Sequence, residues 1–250
     1  MLVWMLACAG APPPEPVVAA PPPVEAPAAP PEEPAPVERC SAPGPGCTCP
    51  GDGESPACFP AYDGSIGAIP PDVRADMEGR SWRLGCPVPV DDLALLMVPH
   101  WDDDGAIVRG ELVVAQSASV DVLAAFGALY DARFPIHQMK RVDAYGADDR
   151  ASMAADNTSA FNCRPVAGTD RWSEHAYGLA IDINPLQNPY VSGSRVSPPE
   201  GAKYADRSVL SPGGIGPDGV VVRAFADIGW RWGGDWAAAK DYQHVSKSGR

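Results

Sequence analysis

The clearest alternation of apolar and polar residues in this chain lies within residues 173–185, SEHAYGLAIDINP. In it the apolar residues Leu179, Ile181 and Ile183 alternate with Ala180, Asp182 and Asn184. A period of two predicts a β-strand whose apolar side chains face the core, while Asp182 lies on the other side. A carboxylate in a short apolar strand is costly to bury unless a cation or hydrogen-bond donors compensate its charge. The pattern therefore predicts a charged or polar partner for Asp182.

Apolar patterns elsewhere predict further strands and two helices. Residues 111–115 and 134–146 are strand candidates, and residues 83–101 have the apolar content of core-facing structure. Ser119 is expected to cap a helix whose apolar stripe has helical spacing, formed by Val122, Leu123, Phe126, Leu129 and Tyr130. Residues 221–229 predict a second helix that ends at Gly229. Residues 192–219, rich in Gly, Pro and Ser, are expected to form a long loop.

Several polar or aromatic features have ordinary structural interpretations. Residues 102–105, DDDG, lack the alternating ligand spacing of a calcium loop and predict a turn. His137 is expected to be structural or exposed. The Trp residues of 229–236, GWRWGGDW, either line a cleft or close the core.

Composition divides the chain into four segments. Residues 1–8 form a short apolar leader that ends in Cys8, which either is lipidated, as in a bacterial lipoprotein, or follows a misplaced start codon. Residues 9–37 are dominated by Pro and Ala and predict a disordered linker. Residues 38–81 form a Cys-rich segment and a connector, and residues 82–250 the folded domain.

Charge and cysteine content limit the partners and the compartment. The chain has 250 residues and a formal net charge of −13, which argues against binding to nucleic acid or to an anionic membrane through charge. If Cys8 carries a lipid, six of the seven Cys remain, an even number that suits disulfides in an oxidising compartment. One arrangement joins Cys86 to Cys163. The other four either form two disulfides or bind a metal, and these are Cys40, Cys47, Cys49 and Cys58.

Two histidines complete a set of candidate metal ligands with Asp182. His175 precedes the predicted strand, and His244 lies near the C-terminus in the sequence DYQH. Two imidazoles and one carboxylate suit Zn²⁺, and a three-ligand site leaves one position for water. Asp241 is then a candidate base for that water. Taken singly, each of these residues also has a purely structural interpretation.

Three motifs in the same order resemble the D-alanyl-D-alanine carboxypeptidase family of zinc peptidases, over residues 84–246. They are SEHAYGLAID at 173–182, GWRWGG at 229–234 and DYQH at 241–244. The family includes VanY-type carboxypeptidases and phage L-alanyl-D-glutamate endopeptidases. One departure is Val245-Ser246, where an aromatic residue usually follows the last His; this substitution is expected to loosen packing beside the metal.

The resemblance implies an α+β fold, in which a small, mainly antiparallel sheet carries the ligands and helices flank it. It implies His175, Asp182 and His244 as zinc ligands and Asp241 as the catalytic base. Arg164 matches the family Arg that contacts substrate or the developing oxyanion, although a plain salt-bridge role is the alternative.

The predicted function is zinc-dependent hydrolysis of peptidoglycan stem peptides by an exported monomer of the periplasm or cell envelope. We expect no nucleic-acid partner, and membrane contact only through a lipid at Cys8. One alternative is a non-catalytic cell-wall-binding lipoprotein that retains the fold. Another is a zinc peptidase that acts on a different peptide.

Overall fold

The computed structural model of the protein describes Cys47–Thr48 and residues 58–250. Its helices are α1 (Pro71–Met77), α2 (Ser119–Asp131), α3 (Asp149–Ala154) and α4 (Val220–Asp227). Its strands are β1 (Cys47–Thr48), β2 (Phe59–Pro60), β3 (Ser65–Ala68), β4 (Leu93–Trp101), β5 (Ile107–Ala115), β6 (Gln138–Met139), β7 (Asn157–Thr158), β8 (Ala180–Asp182), β9 (Tyr190–Ser192), β10 (Arg195–Ser197), β11 (Arg231–Trp232), β12 (Lys240–Asp241) and β13 (His244–Ser246). Among these residues, no helix is long and apolar enough to cross a membrane.

The longest strands, β4 and β5, form an antiparallel hairpin, and β3 pairs with the outer edge of β4. The hairpin turns at residues 102–105, where the Asp102 carboxylate accepts hydrogen bonds from the backbone N–H groups of Asp104 and Ala106, at 3.0 and 2.7 Å. Gly105 takes a positive φ of 72°, which an L side chain rarely adopts. The predicted turn and the predicted strand at 111–115 are therefore confirmed.

Helix α2 packs on strand β4 of this hairpin, and α4 packs on α2. The apolar stripe of α2 is buried against β4 and α4, and the rings of Phe126 and Phe225 meet edge to face at 5.9 Å. The helix is as predicted, but its cap is not. Ala118 is the N-cap residue, and the Ser119 hydroxyl donates instead to the Gln116 carbonyl at 2.8 Å in the preceding 3₁₀ turn.

Two three-stranded antiparallel sheets carry the C-terminal half of the chain. One has the order β11-β13-β8 and the other the order β10-β9-β12. The only parallel strand pair among residues 47–48 and 58–250 is the short pair β6-β7. Small antiparallel sheets combined with helices confirm the predicted α+β class.

The strand predicted over 134–146 is wrong beyond the two residues of β6. A 3₁₀ turn takes up Val142–Tyr145, and Gly146 ends it with a positive φ of 65°. The reason lies in the backbone, because Gly146 and Ala147 take positive φ values of 65° and 60°, which an extended strand does not. Directly before this turn, the Arg141 guanidinium bonds Glu111 and Asp76 at 2.8 and 2.9 Å.

Two other segments carry more structure than expected. In the second part of the 38–81 segment, where a connector was expected, β3 pairs with β4, and Met77 of α1 is fully buried. Within the predicted loop at 192–219, β10 pairs with β9, and Pro199–Tyr204 form a 3₁₀ turn.

The predicted disulfide between Cys86 and Cys163 is confirmed. Cys47 and Cys58 are also disulfide-bonded, which contradicts metal binding by these two residues. Cys8, Cys40 and Cys49 lie outside the described residues.

Candidate metal centre

The three predicted ligands converge on one point. Their ligand atoms all lie within 4.8 Å of one another, so the group could hold a metal ion. Asp182 of β8 and His244 of β13 are directly opposed in the antiparallel pair, which places both side chains on the same face of the sheet. Strand register therefore supplies two of the three ligands.

His175 reaches the group from a 3₁₀ turn, Glu174–Tyr177, that precedes β8. The Ser173 hydroxyl caps this turn by accepting from the His175 backbone N–H at 3.3 Å. Gly178 ends the turn with a positive φ of 66°, and a Cβ there would lie 2.4 Å from the backbone nitrogen of Ala115. The Ser and Gly of the SEHAYG motif therefore shape the turn that carries His175.

Asp182 lies between the two imidazoles. Its Oδ2 is 3.3 Å from His175 Nε2, and its Oδ1 is 3.0 Å from His244 Nδ1. The imidazole centroids are 5.2 Å apart, and both rings are almost fully buried. The donor set of two imidazole nitrogens and one carboxylate, in a buried pocket, fits a zinc ion.

The outward nitrogen of each imidazole bonds a backbone carbonyl. His175 Nδ1 is 2.6 Å from the Ala160 oxygen, and His244 Nε2 is 2.8 Å from the Arg250 oxygen. A main-chain oxygen only accepts, so in each ring the outward nitrogen carries a proton whether or not the ring is charged. Nε2 of His175 and Nδ1 of His244 therefore face the centre, where their lone pairs can bind a metal.

The side chains of Asp182 and His244 shift each other's pKa. Burial alone would raise the pKa of Asp182, but hydrogen bonds and charge from His175 and His244 outweigh it and lower that pKa well below its usual range. Burial alone would lower the pKa of His244, but its bond to Asp182 and the nearby carboxylates raise it to about 9. Without a metal, the centre is thus an ion pair of an ionised Asp182 and a protonated His244.

Asp241 lies beside this ion pair on β12. Burial raises the pKa of Asp241 to about 6; the charge of His244 opposes this rise and that of Asp182 adds to it. Its Oδ1 atom is buried without a hydrogen-bond partner among residues 47–48 and 58–250. A Cβ at Gly233 would lie 2.9 Å from the Asp241 Cβ and 3.3 Å from the His244 Cβ. Gly233 of the GWRWGG motif thus leaves room for Asp241 and His244 to pack closely beside it.

Arg164 contacts the carboxylate of Asp149, the first residue of α3. Burial lowers the pKa of Arg164, and the negative charges of Asp182 and Asp241 oppose that change, so the guanidinium lies near the centre. Asp149 also accepts from the Asn162 side-chain amide at 2.7 Å. Both the salt bridge and the proximity expected for Arg164 are therefore present. Asp149 was not predicted from the sequence, although a partly buried arginine is expected to have a counter-ion.

Two of the Trp residues of 229–236 close the core, which is one of the two predicted roles. Trp230 and Trp232 are buried in the core, whereas the Trp236 ring lies 5.7 Å from the His244 imidazole. Val245 and Ser246 are fully buried in β13, so the expected loosening beside the last ligand is absent. His137 is partly exposed, and its Nδ1 contacts Asp103 at 2.6 Å, as expected for a structural or exposed histidine.

Comparison with known proteins bears on the same part of the chain. Residues 167–247 match the family model described as D-alanyl-D-alanine carboxypeptidase. The match contains all three candidate ligands and Asp241, and begins shortly after Arg164. No curated protein and no solved structure matches the chain. The match confirms the resemblance predicted from the sequence: over residues 167–247, the chain is similar to the peptidases of the D-alanyl-D-alanine carboxypeptidase family.

Proposed function

We propose that this protein is a zinc-dependent peptidase that hydrolyses peptidoglycan stem peptides, either as a D-Ala-D-Ala carboxypeptidase or as an L-Ala-D-Glu endopeptidase. The observation that carries the proposal is the buried carboxyl of Asp241, which has an unpartnered oxygen beside the His175–Asp182–His244 group. A protein that only binds cell wall has no need of such a group, because burying it without a partner costs stability.

The choice of zinc rests on the ligand atoms. Ca²⁺ and Mg²⁺ prefer six or more oxygen ligands, whereas two imidazole nitrogens and one carboxylate are a common zinc set. When bound, zinc would supply an activated water and a Lewis acid for the scissile carbonyl.

The protein residues supply the remaining functions. Asp241 accepts a proton from the attacking water at its unpartnered Oδ1 and returns it to the leaving amine. In the metal-free protein burial raises the pKa of Asp241 to about 6, a shift towards the working pH that favours proton transfer. The Arg164 guanidinium supplies positive charge for the developing oxyanion, and Asp149 holds it in place.

The proposed substrate also sets the proposed location. We place the protein outside the cytoplasm as a monomer, either in the periplasm or elsewhere in the cell envelope, with a lipid on Cys8 as its membrane contact. The disulfide Cys86–Cys163 supports export, because disulfides persist in oxidising compartments.

The test uses the full chain with muropeptides and a defined pentapeptide stem, followed by mass spectrometry of the products. We expect the metal-loaded protein to release either D-Ala or an internal fragment, and a chelator to stop the reaction. His175→Ala should lose both zinc and activity, whereas Asp241→Ala should retain zinc and lose activity. A zinc-loaded wild type that binds the stem without cleaving it would favour the cell-wall-binding alternative.

A further inference from the structure

Residues 247–250 fold back over the outer side of His244. The Arg250 carbonyl oxygen accepts from His244 Nε2 at 2.8 Å and from the Ser246 hydroxyl at 3.0 Å. One residue earlier, the Gly249 carbonyl accepts from the Trp236 indole N–H at 2.9 Å. The indole ring itself packs 5.7 Å from the His244 imidazole, tilted by 55°. Trp236 therefore contacts both the ligand and the segment that bonds the ligand.

The position of the Arg250 main-chain oxygen sets the orientation of the His244 ring. This oxygen only accepts, so it bonds the Nε2–H group at 2.8 Å. With Nε2 held there, Nδ1 faces Asp182 at 3.0 Å, on the side of the centre. Nδ1 is therefore the nitrogen that zinc would bind, in place of the proton that Nδ1 shares with Asp182.

Arg250 is exposed, and the bonds that hold its segment are mostly local ones, such as that from the Gly249 N–H to the Ser246 carbonyl at 3.3 Å. The Arg250 N–H donates to the Ser248 hydroxyl at 3.2 Å, within the same segment. The Lys247 N–H donates to the Leu179 carbonyl at 3.0 Å, at the far end of the segment from Arg250. The indole of Trp236, half-buried and next to the ligand, anchors the end of the segment where the carbonyl lies.

We propose that Trp236 is a positioning residue for the metal centre. Its indole N–H holds residues 249–250 so that the Arg250 main-chain oxygen stays bonded to the Nε2–H group of His244 and keeps Nδ1 turned towards the centre. This role rests on the proposed zinc-dependent function, and it explains a tryptophan that packing of the core does not require. Phenylalanine would preserve the ring contact with His244 but not the hydrogen bond to Gly249.

The test compares Trp236→Phe with Trp101→Phe in the full chain. Trp101 is a matched control, because its indole also donates to a backbone carbonyl, that of Tyr130 at 2.8 Å, within a separate aromatic cluster. Competition with a chromophoric chelator gives zinc affinity, and ¹⁵N-labelled histidine in the zinc-loaded protein reports exchange of the His244 Nε2 proton. We expect Trp236→Phe to weaken zinc binding by about 10–100-fold and to speed that exchange, whereas Trp101→Phe changes neither.

The outcomes separate this inference from the proposed function. If wild type binds zinc and Trp236→Phe binds it as tightly as Trp101→Phe does, the inference is wrong and the proposed function is unaffected. If wild type binds zinc without cleaving any peptide, the proposed function fails while the affinity difference still supports the inference. A wild type that binds no zinc overturns both. Should Trp236→Phe fail to fold, Ser246→Ala removes the other side-chain donor to Arg250, and unchanged zinc affinity in that variant counts against the inference.

Discussion

Replacing Asp241 by Asn is expected to slow turnover strongly and, at the same time, to stabilise the metal-free protein. The two effects have one cause. Asp241 lies beside Asp182, and its buried Oδ1 atom has no hydrogen-bond partner among residues 47–48 and 58–250. A carboxylate in that position binds a proton readily, and the folded protein is less stable when this carboxyl is ionised.

The magnitude follows from the pKa of Asp241, which rises from 3.8 in the unfolded chain to about 6 in the folded protein. Because the folded state binds this proton more tightly, the penalty is absent below pH 3.8, grows as the pH rises to 6, and is constant above that. About two pKa units at 1.36 kcal/mol each give a penalty of up to about 3 kcal/mol at pH 7.5. Asn carries no charge and should recover about 1–3 kcal/mol, since its amide also needs a partner.

The assay is urea unfolding of wild type and Asp241→Asn with chelator present, at pH 7.5 and pH 4, together with peptide cleavage by the zinc-loaded proteins. The variant should be more stable at pH 7.5, nearly equal to wild type at pH 4, and about 10²–10⁴-fold slower in turnover. Asp227→Asn, at an exposed position of α4, is the control and should change stability by less than about 0.5 kcal/mol. A variant that is less stable than wild type at pH 7.5, or that cleaves at the wild-type rate, would refute the reasoning.

Three further predictions follow from the same geometry. Zinc must displace a proton from His244, whose pKa in the metal-free protein is about 9, so apparent affinity should rise about tenfold per pH unit between pH 7 and 8.5. Calorimetry in two buffers would count the released proton, and zero release would contradict the pairing of His244 with Asp182. Replacing both Cys86 and Cys163 by Ser removes a disulfide with a sequence separation of 77 and should lower the free energy of unfolding in urea by about 4.5 kcal/mol. A loss below about 1 kcal/mol would contradict this prediction. Arg164→Lys should lower kcat about a hundredfold with zinc affinity unchanged, and equal kcat values would remove Arg164 from the proposed mechanism.

Elements with strong local patterns were predictable from the sequence. The alternation around Asp182 places Ile181 and Ile183 in the core and Asp182 on the other face, as β8 shows. The apolar stripe of α2 likewise predicted the helix, because its spacing depends only on helix geometry. The ligand types were visible for the same reason, since a polar residue in an apolar strand stands out.

Features that depend on distant partners were not predictable. Asp149 has no unusual local pattern, and its role appears only when α3 brings it to Arg164. The strand β3 is short and exposed, so only its pairing with β4 defines it. Trp236 was visible as an aromatic residue, but its bond to Gly249 depends on a fold-back that no local pattern specifies.

The core itself fixes the spacing of the candidate ligands. In the β8–β13 pair, Val245 lies opposite Ile181, and both are fully buried, while the next pair along is His244 opposite Asp182. A slip of one residue would turn His244 into the apolar core and point Val245 at the candidate centre, because successive side chains point to opposite faces. The free energy of apolar packing therefore enforces the register that brings an imidazole to Asp182. His175 lies in a turn instead of a strand, so strand register does not place it. Its position depends on Gly178, which ends that turn.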